Sequence, residues 1–321
     1  METGNTLKKP TVRCLLALLC CALWGSAFPC VKIGYEWLDI QSVGSQILFA
    51  GYRFFLAGVL TFFAGCLLEK RFMTVQRGSV PYIAGIGFLQ TTVQYVCFYI
   101  AMSHITGTKG SIINASNAFV SILLAHFLIK GERMTWKKGA GCLIGFAGVV
   151  LINAEGISGG VSFMGEGMMI LCTIVYGSCS VLMKLISHRG TAMAITAWQL
   201  LFGGFLLIVI GFASGGRISG FDGKSAALLL YMAALSAAAF SIWTALLKYN
   251  PVGKVAIFGF SIPVFGVILS GIFLGESFLS VQSLSALACV STGIVLVNLP
   301  GGRKRERLEA SDRVGNTRRK E

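Results

Sequence analysis

Seven stretches of this chain contain no Asp, Glu, Lys or Arg: Cys14 to Val31, Gly78 to Thr108, Gly110 to Ile129, Gly190 to Gly216, Ser225 to Leu247, Val255 to Gly275 and Ser277 to Gly302. A helix that crosses a bilayer needs about 20 mostly apolar residues. So many runs of this kind cannot all be buried in the core of one soluble domain. Only 12% of the residues are charged, against roughly 25% in soluble domains. The chain therefore reads as an all-α integral membrane protein. Short turns rich in Gly, Pro or charge separate ten apolar segments, predicted as helices over residues 12–34, 43–67, 79–102, 106–129, 136–153, 163–187, 191–213, 225–248, 253–274 and 279–299. The first segment has no clear small-residue cleavage site and is expected to be a retained helix rather than a signal peptide.

The net charge of +14 does not point to nucleic acid, because the basic residues fall where a membrane topology places them. With the N-terminus inside, the inner segments carry Lys8, Lys9 and Arg13, then Lys70, Arg71 and Arg77, then Lys130, Arg133, Lys137 and Lys138. Lys184, Arg189, Lys248, Lys254 and the basic tail follow on the same side. The outer segments hold Lys32, Lys109, Arg217 and Lys224. Positive loops stay in the cytoplasm, so both termini are expected there, in the cell inner (plasma) membrane. Residues 300–321 are polar and basic without an apolar period and are expected to be a disordered cytoplasmic tail. Their Arg303-Lys304-Arg305 cluster is suited to anionic lipid head groups. The ten cysteines lie in or at the ends of apolar segments without metal-ligand spacing and read as small packing residues. No cofactor is expected.

The chain repeats itself. Trp24-Gly25-Ser26 with Lys32 recurs as Tyr176-Gly177-Ser178 with Lys184; Gly131-Glu132 recurs as Gly275-Glu276; Gly148-Val149-Val150-Leu151-Ile152-Asn153 recurs as Gly293-Ile294-Val295-Leu296-Val297-Asn298. The order is the same and the spacing nearly constant, which divides the chain into halves of about 12–153 and 162–299. Five helices per half is an odd number, so the second half enters the membrane from the opposite side and the halves form two inverted five-helix repeats. Secondary transporters commonly use this plan, with a site near the midplane at the repeat interface.

These paired motifs resemble the drug/metabolite transporter superfamily, EamA type, over nearly the whole of residues 12–299. The resemblance implies a ten-helix inverted-repeat fold in the inner membrane, with small metabolites or drugs as substrates and export the commoner direction. Helix nine keeps a family-like Pro263, thirteen residues before Glu276. Helix four has Phe119 in that place, with Asn117 nearby, so any break there has to be made without proline.

Polar side chains in hydrocarbon need partners and usually face the bundle interior or a cavity. Asn114, Asn117 and Ser121 share one face of helix four; Gln90 and Gln94 lie one turn apart on helix three; Ser236, Phe240 and Trp243 share a face of helix eight. A cavity lined by amides and aromatics suits an amphipathic solute. The competing role for such residues is interhelical hydrogen bonding. Candidate substrate-binding residues are Asn114, Asn117, Gln90, Gln94, Arg53, Trp243, Ser261 and Trp24. Arg53 is the one Lys or Arg well inside a predicted span, suited either to a substrate carboxylate or to helix-end carbonyls; its repeat mate is Gln199. Lys32 and Lys184 lie near helix ends, where they can snorkel. Glu132, Glu166 and Glu276 all lie near helix ends too, and His126 reads as a packing residue close to the inner end of helix four.

No His-Glu-x-x-His zinc site and no mid-span carboxylate pair is present, which argues against an intramembrane enzyme. A channel for small solutes is compatible with repeats, but no filter or charge-ring pattern is present. The reading left standing is a secondary transporter of small metabolites or drugs, amino-acid-like or otherwise amphipathic, working by alternating access as an exporter. Its partners are a small-molecule substrate and membrane lipid, with the protein a monomer or homodimer.

Overall fold

The computed structural model describes residues 2–102, 104, 113–152, 162–274 and 281–299, and every regular element among them is helical. A short helix, Glu2–Lys8, leads into α1 (Pro10–Trp37) and α2 (Val43–Glu69). α3 joins Val80–Ile86, a π-helical stretch Gly87–Val93 and Gln94–Met102. α4 is Asn117–Leu128 and α5 Trp136–Ile152. α6 opens on a π-helical turn, Phe163–Gly167, and continues as Met168–Ile186. α7 (Ala192–Ala213) and α8 (Gly223–Tyr249) follow. α9 joins Val252–Ala256, a 3-10 stretch Ile257–Phe260 and Ser261–Leu274, and α10 is Val281–Asn298.

Six segments are long and apolar enough to cross a membrane unaided, those of α1, α2, α3, α6, α7 and α8. α4, α5 and α10 are shorter, and α9 is interrupted by its 3-10 stretch. Among the described residues, six of the ten predicted segments are clear spans by length, and shorter apolar helices lie in the others. Large apolar side chains such as Leu67, Phe127 and Leu143 are exposed, which in a bilayer places them against lipid tails. Residues 300–321, Gly275-Glu276 and Lys109 lie outside the described residues.

Helix pairing follows one rule. α1 packs on α8 and α9, and α6 on α3 and α4; α2 packs on α8, and α7 on α3; α2 packs on α7, and α5 on α10. Replacing every helix by the one five places later reproduces these contacts. The closest approaches obey the same exchange. A Cβ on Gly58 would lie 2.6 Å from the Leu201 nitrogen, and one on Gly204 would lie 2.4 Å from the Phe55 nitrogen. Both partners are related by the 146-residue spacing that relates Arg53 to Gln199. Lipid tails offer no hydrophobic drive to helix association, so backbone-to-backbone van der Waals contact through small residues has to supply it.

Both α4 and α9 are broken, by different chemistry. Pro263 has no N–H to give the Gly259 carbonyl, and the backbone just before it tightens into the 3-10 stretch Ile257–Phe260. The Cys21 thiol reaches the Phe258 carbonyl there at 3.1 Å. In α4 a turn at Ser116 precedes the helix, and the Asn117 side chain donates to the Asn114 carbonyl at 2.6 Å. An asparagine amide thus bonds the backbone across the turn.

At the end of the bundle where α1 begins, polar groups tie helix ends together. The Glu132 carboxylate accepts from the Val252 and Gly253 N–H groups at 2.8 and 3.2 Å. Lys184 Nζ donates to the Lys248 and Asn250 carbonyls at 3.1 and 2.8 Å. Arg13 donates to Asn250 and Asn298 side chains at 3.4 and 2.7 Å. At the other end Asp222 caps α8, its carboxylate taking the Ser225 N–H at 2.8 Å. That bond and the Ser225 hydroxyl hold the Asp222 carboxyl below its usual range.

Candidate functional site

The centre of the bundle is a run of rings contributed by both halves. Trp24 of α1 meets Trp243 of α8 with ring centroids 5.1 Å apart, Phe240 of α8 at 5.5 Å and Tyr176 of α6 at 6.5 Å. Phe240 leads to Phe54 of α2 at 6.1 Å, and Phe54 to Tyr95 of α3 at 4.2 Å. Tyr95 then meets Tyr99 at 6.4 Å, and Tyr99 meets Tyr35 of α1 at 6.4 Å. Trp24 and Tyr176 are the matched aromatics of the repeated motif, so the two copies touch each other across the interface between the halves. Gly25 and Gly177, the next residues, sit against α9 and α4 respectively. A Cβ on Gly25 would lie 2.7 Å from the Phe265 Cβ, and one on Gly177 would lie 2.7 Å from Val120. These glycines let the aromatic residue before each of them sit where two helices press close.

Polar groups are set among these rings with partners missing. Arg53 is 3% exposed. Its Nε donates to Ser236 Oγ at 2.9 Å, and Ser236 in turn donates to the Met232 carbonyl at 2.8 Å. The guanidinium carbon lies 4.9 Å from the Phe54 ring centre. Trp24 Nε1, Trp243 Nε1, Gln90 Oε1, Gln94 Oε1, Thr91 Oγ1 and both amide atoms of Gln199 are buried without a hydrogen-bond partner. Buried polar atoms are normally satisfied; the two indoles lie on the ring run itself, and their open donors mark a place that another molecule can complete. Gln90 falls in the π-helical stretch of α3 that packs on α7; such π-bulges occur often at functional sites.

The predicted site residues divide into two groups. Trp24 and Trp243 are in direct contact, and Arg53, Gln90 and Gln94 are buried on the helices that carry the rest of the ring run. Asn117 lies elsewhere, where α4, α6 and α9 meet. Its amide nitrogen is used on Asn114, its carbonyl accepts from Ser121 at 2.8 Å, and Ser121 also reaches the Gly177 carbonyl at 3.3 Å. Its Oδ1 lies 3.4 Å from where a Cβ on Gly259 would stand. That is the geometry of helix-to-helix bonding. Asn114 is half-buried and Ser261 is buried at the start of the last segment of α9. Neither residue takes part in the ring contacts.

Lys184 caps the end of α8, as given above, and is held away from any central position. Glu166 accepts the Ser162 N–H at 2.6 Å and closes the start of α6. His126 Nδ1 accepts the Met134 N–H at 3.0 Å, a packing role as expected. Sequence reasoning left Ser236, Phe240, Tyr176, Tyr95 and Gln199 out of the candidate set. Ser236 and Phe240 were on the face that carries Trp243, and Gln199 was visible as the mate of Arg53. Tyr176 was visible as the mate of Trp24. Tyr95 carried no signal of its own, since a tyrosine beside Gln94 reads equally as lipid-facing. No group of three or more His, Cys, Asp or Glu able to hold a metal occurs among the described residues.

The profile of the EamA-like transporter family matches residues 12–154 and again residues 163–299. An uncharacterized transporter of Bacillus subtilis, YetK, is 28% identical, the alignment covering 91% of this chain and 89% of that one. An uncharacterized transporter of Archaeoglobus fulgidus is 29% identical over 82% of this chain and 89% of its own length. A protein of Escherichia coli named as a probable amino-acid metabolite efflux pump is 24% identical over 92% of this chain and 97% of its own. One solved crystal structure superposes with a TM-score of 0.76 at 18% identity, covering 90% of this chain and 96% of that one.

Proposed function

Because the chain belongs to the EamA-like transporter family, a family of membrane transporters rather than enzymes, we propose that it is a secondary transporter that exports small amphipathic solutes by alternating access. The observation that carries this reading is the central run of rings with its unpartnered amides and indoles, built from helices of both halves where the repeated aromatics Trp24 and Tyr176 meet. A site at that interface is what inverted repeats can expose to each side in turn. The helix-end ties through Glu132, Lys184 and Arg13 support a state sealed at one end, the end where α1 starts. Residues 12–153 and 162–299 are the two inverted repeats in this reading. The bias of basic residues supports an inner-membrane protein with both termini in the cytoplasm.

The kind of solute follows from the lining. Aromatic faces take a flat apolar body, and amide groups take its hydrogen-bonding edge. Amino-acid-like metabolites fit that description, in keeping with the names of relatives in Escherichia coli and Salmonella typhimurium, probable amino-acid metabolite efflux pumps.

Cells overproducing the native protein are expected to accumulate one chemical class of amphipathic solute in the medium, measured by mass spectrometry of medium and cytoplasm. Cells overproducing Trp243→Ala are expected to lose at least about tenfold of that release, since a buried aromatic pair contributes roughly 0.5–1.5 kcal/mol beyond its area and truncation opens the lining as well. Equal extracellular pools in cells with and without the protein would sink the export reading. A C-terminal alkaline phosphatase fusion is expected to be inactive; an active one would place the C-terminus outside.

A further inference from the structure

Two arginines are buried in the described bundle, and their surroundings differ. Arg13, at the start of α1, spends both terminal nitrogens on Asn250 and Asn298. Arg53, two turns and more into α2, makes one hydrogen bond, from Nε to Ser236. Its two terminal nitrogens bond to no protein atom among the described residues. An ion pair joins Arg71 to Glu69 at the surface. Among the described residues no carboxylate pairs with Arg53. The described Asp and Glu residues, Glu2, Glu36, Asp39, Glu69, Glu132, Glu166 and Asp222, stand at helix ends.

An uncompensated cation inside a membrane protein is costly, and such groups mark substrate or ion pathways. The guanidinium lies beside Phe54, whose ring meets Tyr95 at 4.2 Å and Phe240 at 6.1 Å. It thus stands where α2 meets α8, beside the middle of the ring run, with Tyr95, Tyr99 and Tyr35 to one side and Phe240 and Trp24 to the other. Ser236, itself anchored on the Met232 carbonyl, fixes the guanidinium through Nε and leaves the two-pronged edge free. That edge matches the two oxygens of a carboxylate.

We propose that the exported solute carries a carboxylate, seated on the free terminal nitrogens of Arg53, with its apolar body laid along Phe54, Phe240 and Trp24. The inference rests on the transporter reading and sharpens it. The site disfavours amines that lack an acid group, because the Arg53 charge repels theirs. It accepts an α-amino acid only through its carboxylate end, and a single fixed positive charge favours a monoanion over a phosphate ester.

The test uses the full-length protein in proteoliposomes loaded with a total small-molecule extract of cells, alongside Arg53→Gln, Arg53→Lys and Ser236→Ala. Solutes that leave native vesicles faster than protein-free ones are identified by mass spectrometry. They are expected to carry a carboxylate, to stay behind with Arg53→Gln by a factor of about thirty or more, and to leave at an intermediate rate with Arg53→Lys, which keeps the charge but not the fork. Ser236→Ala keeps the guanidinium and is expected to retain the preference for acids while weakening it. In parallel, phenylacetate is expected to raise the thermal midpoint of the native protein more than phenylacetamide does, with that difference abolished in Arg53→Gln. Should Arg53→Gln not fold, the acid-over-amide preference of native protein and Arg53→Lys decides the matter. Release of solutes without an acid group, or of acids at the native rate by folded Arg53→Gln, overturns the inference while leaving the transporter standing. Vesicles from which the native protein releases nothing overturn the transporter reading, and the inference with it.

Discussion

Gly204→Val is expected to yield no stable folded protein. A Cβ at Gly204 would stand 2.4 Å from the Phe55 nitrogen and 2.7 Å from the Phe55 Cα. Both are backbone atoms of α2, so no side-chain rotation can make room, and α2 and α7 would have to separate along a seam that also includes Gly51, Gly58 and Gly211. Overpacking of a tight core typically costs about 1–3 kcal/mol, and more where only backbone can move. Here it also removes close contact of the kind that favours helix association in lipid. The measurement is the monodisperse fraction and thermal midpoint on size-exclusion chromatography in detergent. Gly85→Val is the control, since nothing lies within 4 Å of a Cβ there, and it is expected to behave nearly as the native protein. Native yield and midpoint for Gly204→Val would mean that α2 and α7 do not meet at this distance.

Glu132→Ala is expected to loosen the end of the bundle where α1 begins and to lower transport. Glu132 is 7% exposed, and its two oxygens take the first free N–H groups of α9, those of Val252 and Gly253. A carboxylate is favoured at such a helix start because unpaired N–H groups and the helix dipole both point at it. Hydrogen bonds to a charged group contribute about 1.5–3 kcal/mol each. Losing the pair should therefore favour opening of this end by about a hundredfold or more. Amide exchange at Val252 and Gly253, followed by mass spectrometry, is expected to accelerate by that factor, and the thermal midpoint to fall. Glu132→Gln keeps an acceptor but not the charge and should lie between. Unchanged exchange in Glu132→Ala would show that these amides are protected by other means. A transporter that alternates must break such ties once per cycle, so a permanently loosened end should also reduce net export.

Some of this was legible from residues alone and some was not. The helical segments follow from long apolar runs bounded by charge and turn residues, a local property. α1, α2, α7 and α8 accordingly lie within three residues of the predicted bounds. The internal match of Trp24-Gly25-Ser26 with Tyr176-Gly177-Ser178 implied a relation between halves, and the exchange of helix contacts is consistent with it. The expected pairing of Trp24 with a central role went no further than its place in that motif. Its contact with Trp243 needed the fold.

The polar residues show where sequence reading ended. Asn117 and Gln94 look alike on paper, each an amide on one face of an apolar helix. In the fold Asn117 turns back to the Asn114 carbonyl and mends a break in α4, while Gln94 is buried with its oxygen unpartnered. Glu132 read as a loop residue at the end of α4 and became the cap of α9, a helix that begins more than a hundred residues later. Arg53 read as an isolated charge, and the fold supplied Ser236 for its Nε and nothing for its other nitrogens.

The sequence by itself determined the class of protein, the positions of its long apolar helices and the likeness of its two halves, because hydropathy and self-similarity are written along the chain. The tertiary structure decided which polar groups are satisfied and which are left waiting, because a hydrogen bond depends on what another helix brings within about 3 Å, and no spacing along one helix contains that information.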